Sequence, residues 1–240
     1  FAGSNAAFLV TDEGVLVIDA RTHPRLGQDL IDRIRKVTDK PIKWLVNTHF
    51  HGDHHYGNSA FKAAGATIVN DVSGLQYDDG LAPVVAAAGA AVVLMHNRGR
   101  SRDMYKEAAY DDVVGEIGRE LEAAIGRATA AGIARELVIV DPGFGFAKRA
   151  EHTWDALAGL DRLASLNRPI LVGPSRKSFL TACLTPVNGD RLPSDRDWGT
   201  AAAVTASVLA GAHIVRVHAV REMSDVARVS DRLRAAGIRH

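Results

Sequence analysis

The sequence predicts an α/β fold, a TIM-type (βα)8-like parallel barrel. Three observations predict it. Short Val/Ile/Leu runs alternate with amphipathic stretches, the order that builds a parallel sheet with right-handed crossovers. The runs are apolar throughout, as strands covered on both faces are. Eight such runs can be counted, the number that a closed βα barrel needs. The alternation is regular over the last five strand-helix units and looser before them.

Taken in order, Ala7 to Val10 and Val15 to Asp19 are apolar runs joined by Thr11-Asp12-Glu13-Gly14, a turn that predicts an antiparallel pair. Leu26, Leu30, Ile34 and Val37 recur at helical spacing, which predicts a helix from Pro24 to Val37. Ile42 to Val46 is a strand running into Asn47-Thr48-His49. A helix from about Asn58 to Ala64 ends at Gly65, a natural C′ glycine. The β-branched run Thr67 to Val69 then ends in Asn70 and Asp71, followed by the turn Ser73-Gly74, a strand whose polar tip opens into a loop. This stretch is the pivot of the chain, because a His-rich segment lies before it and a regular series of units after it.

Beyond the pivot, helices are predicted at Leu81 to Ala88, Asp112 to Ala131, His152 to Leu166, Thr200 to Ala210 and Asp225 to Ala236. Strands are predicted at Ala91 to Met95, Leu137 to Val140, Ile170 to Val172 and Ile214 to Val217. Pro186 to Trp198 is the one long irregular stretch and reads as a surface loop.

Composition narrows the function classes. Lys plus Arg number 29 and Asp plus Glu 28, so no net field draws the chain to nucleic acid or to an anionic membrane. No apolar run is long enough to span a bilayer. Cys183 is the single cysteine, so an internal disulfide is excluded and a reducing, cytoplasmic location is expected. The chain begins at Phe1, which leaves a removed signal peptide or a truncated N-terminus open.

His49-Phe50-His51-Gly52-Asp53-His54 is the most specific local motif. Imidazole and carboxylate donors on a loop after a strand suit zinc or iron, and a bound metal would activate water. The spacing resembles the HxHxDH signature of the metallo-β-lactamase superfamily, and the resemblance covers residues 1 to about 69. It implies His49, His51, Asp53 and His54 as metal ligands, with Zn as the metal. The superfamily also uses a further His, a bridging Asp and a final His, and His96, His152, His213, His218 and His240 lie in no stretch resembling those segments.

Five strings follow in order, each at the end of a predicted strand: Asn70-Asp71-Val72-Ser73-Gly74, Val93-Leu94-Met95-His96, Asp141-Pro142-Gly143-Phe144-Gly145-Phe146-Ala147-Lys148, Ser175-Arg176-Lys177-Ser178-Phe179, and Arg216-Val217-His218. Asp141 leaves a buried strand, where a carboxylate persists only with partners. Asn70 offers both a donor and an acceptor. Arg216 and His218 alternate along the last strand and suit a diphosphate. Together the strings resemble dihydropteroate synthase, the pterin-binding TIM barrel of folate synthesis, over about residues 66 to 237.

That resemblance implies a transferase joining 6-hydroxymethyl-dihydropterin diphosphate to p-aminobenzoate. It implies Asp141 and Lys177 as the residues holding the ring for catalysis. It places Asn70, Met95 and Arg216 at the pterin, Ser175, Gly145 and Phe146 beside p-aminobenzoate, and His218 with Arg216 at the leaving pyrophosphate. Mg is the implied cofactor, although the first-strand loop that helps hold it has no match here. The second-strand loop and a third-strand Asp also lack a match. No nucleic-acid or membrane partner is expected, and a homodimer is compatible with the resemblance. Phe179 is expected in the core, Arg176 in a structural ion pair, and Lys148 and Arg149 on a solvated face.

The two resemblances meet near residue 69. Residues 1–69 form a ββαβα segment expected to complete the barrel, and residues 70–240 supply βα units 4 to 8, the whole making one composite domain. A chimera, a designed recombinant and a mis-assembled gene all fit such a hybrid. The rival functions are a zinc-dependent hydrolase using the histidine cluster and a folded scaffold with neither activity.

Overall fold

The computed structural model describes residues 6–21, 23–46, 60, 68–99, 104–106, 108–188 and 192–238. Among them are eight strands and seven α-helices. They gather in two compact units, Phe1–Met95 with Leu121–Ile139, and His96–Glu120 with Val140–His240.

In the first unit β1 (Ala7–Val10) and β2 (Val15–Ile18) form the expected antiparallel pair, with Ala7 opposite Ile18 and Val10 opposite Val15. The Thr11 backbone N–H and hydroxyl both donate to the Gly14 carbonyl, at 2.9 and 2.8 Å, and close the turn. β1 is largely exposed while β2 buries Val15 and Val17 completely. The antiparallel strand therefore ends the sheet instead of interrupting its parallel part. α1 (Pro24–Arg35) starts with His23 as its cap, whose Nδ1 accepts from the Arg25 N–H at 3.2 Å, and with proline at its first position, where no N–H is needed. Leu30, Ile31 and Ile34 pack with Val15, Val17, Ile42 and Leu45. The helix stops at Arg35, and Val37, expected on its apolar face, is exposed.

β3 (Ile42–Val46), β4 (Ile68–Asp71) and β5 (Ala91–Met95) continue in parallel, and the sheet runs in the order β1 to β6. The pivot strand thus sits inside the sheet, with β3 on one side and β5 on the other. Its polar tip belongs to the strand itself. Asp71 is buried and accepts from the Ser73 N–H at 3.2 Å and the Ser73 hydroxyl at 2.9 Å, so its carboxylate shapes the following turn. α2 (Leu81–Ala87) lies between β4 and β5. α3 (Val113–Ala130) and β6 (Val138–Asp141) each run from one unit into the other along the chain. The helix expected from Asn58 to Ala64 lies outside the described residues except for Ala60, which is helical.

In the second unit, the end of β6 is followed by parallel pairing. Val140 bridges to Ile170, and β7 (Leu171–Val172) pairs with β8 (Ile214–Val215). α4 (Ala150–Ala158) gives way to a 3-10 turn at Leu160–Leu166, so the helix expected through Leu166 tightens halfway. The expected loop from Pro186 to Trp198 is instead partly helical. α5 (Thr181–Asn188) enters it, a 3-10 turn occupies Pro193–Arg196, and α6 (Asp197–Leu209) follows at once. α7 (Val220–Ala235) packs Met223 against Val204 and Val208 of α6.

Candidate functional site

The chemistry of the second unit centres on Asp141, the last residue of β6. It is 1% exposed. Its backbone carbonyl accepts from the His96 N–H at 2.8 Å, and its carboxylate Oδ1 accepts from the Gly143 N–H at 2.7 Å. Burial pushes the carboxyl pKa up, while Arg216, the Gly143 N–H, Lys177 and Lys148 oppose the shift, and the net direction is upward. A buried acceptor ringed by cations can take further N–H donors from a ligand.

The following loop is strongly turned. Gly143, Gly145 and Ala147 all have positive φ, at 67°, 76° and 50°. Glycine suits two of these positions, and Ala147 is held there by its surroundings. Phe146 is buried, and Lys177 Nζ stands 4.0 Å from the centre of its ring. Lys177 is half-buried. Burial and the nearby Arg216 lower its pKa to about 8, against the pull of Asp141.

Arg176 has φ 58°. Its side chain grips both oxygens of Asp197 at 2.8 Å, its N–H donates to Thr200 at 3.0 Å, and its carbonyl accepts from Arg196 at 3.0 Å. This is the structural ion pair expected for Arg176, and it fixes the loop that carries Ser175 and Lys177. Ser175 accepts from the His218 backbone N–H at 3.2 Å and lies 2.8 Å from His218 Nδ1. Ser175 thus holds both the backbone and the ring of His218. Burial and Arg176 hold the His218 pKa below its ordinary value. β8 ends at Val215, so Arg216 and His218 follow the strand and do not alternate within it as expected. The Arg216 guanidinium packs on Gly173, where an added Cβ would come within 3.0 Å of it.

Lys148 corrects the sequence reading. It is 2% exposed and not solvated. Its ammonium lies 2.7 Å from His96 Nδ1 and donates to the Phe146 carbonyl at 3.0 Å. His96 Nε2 lies 3.1 Å from Glu120, and Arg98 binds both Glu120 and Glu116. Arg98 also stacks on Tyr110, whose hydroxyl donates to the Ala147 carbonyl at 2.9 Å. Burial, reinforced by Lys148, lowers the His96 pKa to about 4. Burial and nearby cations lower Lys148 to about 7 against Asp141. His96 stood in a quoted string without a role, and Arg98, Tyr110 and Glu120 had none. Only folding brings them together.

Asn70 and Met95 are buried at the ends of β4 and β5 in the first unit. Phe179 is in the core, as expected. His49, His51, Asp53 and His54 lie outside the described residues, and with them the zinc site that the motif implies. Among the described residues no three His, Cys, Asp or Glu side chains gather as a metal site. The groups around Asp141 are cationic, which opposes a magnesium ion at that carboxylate. No helix among them is long and apolar enough to cross a membrane.

Residues 56–218 match the pterin binding enzyme family, and residues 1–69 match the metallo-β-lactamase superfamily. The chain is 40% identical over 170 residues to dihydropteroate synthase of Synechocystis sp., and 44% over 168 residues to that of Mycobacterium leprae. These alignments cover 71% and 69% of this chain but 57% and 59% of the two relatives, so the chain spans less than two thirds of either. The structure of dihydropteroate synthase from Xanthomonas albilineans in complex with 7,8-dihydropteroate is similar at TM-score 0.69 and 35% identity, covering 86% of this chain and 71% of that one. The fold class is α/β of the TIM type, as the sequence predicts.

Proposed function

The chain belongs to the pterin binding enzyme family, and on that premise we propose that it is a dihydropteroate synthase-type transferase. Its substrates would be 6-hydroxymethyl-dihydropterin diphosphate and p-aminobenzoate. The observation that carries this reading is Asp141, a buried carboxylate that accepts from the Gly143 N–H, with Lys177 and Arg216 close enough to shift its pKa. An amino-pyrimidinone edge supplies the N–H donors that such an acceptor takes.

In this reading Asp141 accepts from the pterin ring and Lys177 donates to it, while Phe146 covers the ring and flanks p-aminobenzoate together with Gly145 and Ser175. Arg216 and His218 face the diphosphate. The C–O bond to the diphosphate breaks with its electron pair leaving on oxygen. The amine lone pair forms the new C–N bond, and the amine proton passes to solvent. In this reading residues 1–69 take the place of the family's first strands, and the parallel pairing of β3 with β4 within the first unit supports a continuous sheet across residue 69. Cys183, exposed and the only cysteine, suits a cytoplasmic enzyme.

Titration calorimetry with a pterin, followed by a chromatographic assay for dihydropteroate, tests the proposal. Saturable pterin binding and slow product formation are expected. A folded chain that binds no pterin would overturn it.

A further inference from the structure

Lys148 is among the largest fully buried side chains of the chain. A buried ammonium is costly unless its donors are used, and a methionine or leucine would fill the same volume without that cost. Two of its donors face named acceptors, His96 Nδ1 at 2.7 Å and the Phe146 carbonyl at 3.0 Å. Because Nδ1 accepts, the other ring nitrogen of His96 carries its proton toward Glu120 at 3.1 Å, and Arg98 holds Glu120 in turn. A line of hydrogen bonds therefore runs from α3 to the backbone of the loop after β6.

That loop needs a hold. Three of its residues, Gly143, Gly145 and Ala147, have left-handed backbone. Two successive carbonyls are gripped, Phe146 by Lys148 and Ala147 by Tyr110. The Phe146 side chain in turn carries the Lys177 ammonium on its face at 4.0 Å. At the other end of the loop the Gly143 N–H meets Asp141.

We propose that Lys148 is a positioning residue, which clamps the Phe146 carbonyl against His96 and so sets the ring that carries Lys177 beside Asp141. The clamp does not depend on the charge of Lys148, because a neutral amine still has donors for both acceptors. A plain counter-ion to Asp141 would have no use for the Phe146 carbonyl. The proposal rests on the pterin reading only for its consequence in binding; the clamp itself is a property of the free chain.

The test is fluorine NMR of the chain carrying 4-fluorophenylalanine, with the Phe146 resonance assigned by Phe146→Leu. Phe144 and Phe179, core residues 6.4 Å apart between ring centres, serve as internal controls. Lys148→Met is expected to shift or broaden the Phe146 resonance while the two controls stay in place. A merely space-filling lysine would leave all three unchanged, and that result overturns the proposal. If Lys148→Met does not fold, His96→Leu decides on the same readout, since it removes the acceptor and keeps the lysine. Calorimetry then separates the two readings. A parent chain that binds no pterin refutes the proposed function and leaves the NMR result standing. A parent that binds pterin and loses at least tenfold affinity in Lys148→Met supports both readings. Unchanged affinity with a moved Phe146 resonance would confine the clamp to the free chain and overturn its role in positioning the site.

Discussion

The ammonium of Lys177 stands 4.0 Å from the centre of the Phe146 ring. This contact joins two loops, one after β6 and one after β7, and it exchanges part of the water around a cation for an aromatic face. The cost shows in the Lys177 pKa, which burial lowers from 10.5 to about 8.

Pterin affinity should therefore have an alkaline limb. A lysine lowered to about 8 loses its proton, and with it a charge-assisted donor, as pH rises through that value. Affinity measured by calorimetry should fall between pH 7 and 9. Phe146→Ala should return water to the ammonium and move the limb up by about one pH unit or more, with about tenfold weaker binding at neutral pH. An unchanged limb would show that Lys177 takes no part.

The pair His96 and Glu120 should make the fold acid-sensitive. Burial holds His96 at about 4, below 6.5. Burial pushes Glu120 up, but its hydrogen bonds from His96 and Arg98 outweigh this and hold it at about 2, below 4.5. Both groups bind fewer protons folded than unfolded inside those windows, so both contribute stability at neutral pH that is lost on acidification. The His96 part goes between about pH 6.5 and 4, and the Glu120 part between about 4.5 and 2. Glu120→Gln should flatten the lower window and, because Glu120 raises the His96 pKa, extend the upper window to lower pH, in urea unfolding followed by circular dichroism. Glu120 is partly exposed, so its part is small.

Much of this was legible in the sequence, and the exceptions share a cause. The strand runs, the Thr11–Gly14 turn and the core position of Phe179 follow from local pattern. Lys148 does not, because a lysine beside an arginine has the local signature of a surface and only the fold buries it. His96 and Glu120 are 24 residues apart, with no periodicity linking them. Pro186 to Trp198 is rich in turn formers, yet Asp197 pairs with Arg176 and starts a helix. Within the candidate site, Asp141, Phe146 and Lys177 stood out because each ends a readable strand or follows it closely. The side chains that back the loop after β6 from a distance, His96 behind Lys148 and Tyr110 on the Ala147 carbonyl, have no such local signal.

Gly173 should be needed for Arg216. A methyl group there would come within 3.0 Å of one guanidinium nitrogen and 3.3 Å of another. The contact is with the end of a flexible side chain, so the backbone can stay and the arginine must move. Gly173→Ala should keep the melting temperature within about 3 °C of the parent while weakening binding of a pterin diphosphate about tenfold more than binding of the pterin alone. Equal losses for both ligands would show that Arg216 does not serve the diphosphate.

Zinc should bind loosely. The motif His49 to His54 offers up to four donors, but tight sites need a completed set supported by surrounding hydrogen bonds. After dialysis against a weak chelator, elemental analysis should find less than about one zinc per chain. Two retained zinc ions would show that other parts of the chain complete the site.

The strongest single effect should come from Asp141. Its carboxylate is buried and accepts from the Gly143 N–H at 2.7 Å. Hydrogen bonds to a charged group contribute about 1.5–3 kcal/mol each, so two ring N–H groups would be worth roughly 3–6 kcal/mol. Asp141→Ala should lower pterin affinity by about a hundredfold or more, which calorimetry reads as loss of binding. Asp141→Asn keeps the volume and one acceptor, and it should fall between the two. Turnover is a separate matter. The first- and second-strand loops, which the resemblance adds to Arg216 and His218 at the diphosphate and to Ser175 at the amine, have no match in residues 1–69, and lost positioning removes several kcal/mol of rate enhancement. Dihydropteroate formation should be orders of magnitude slower than in a full-length relative assayed side by side. Asp141→Ala binding as tightly as the parent would refute the ring assignment, and full-rate turnover by the parent would refute the role given to the missing segments.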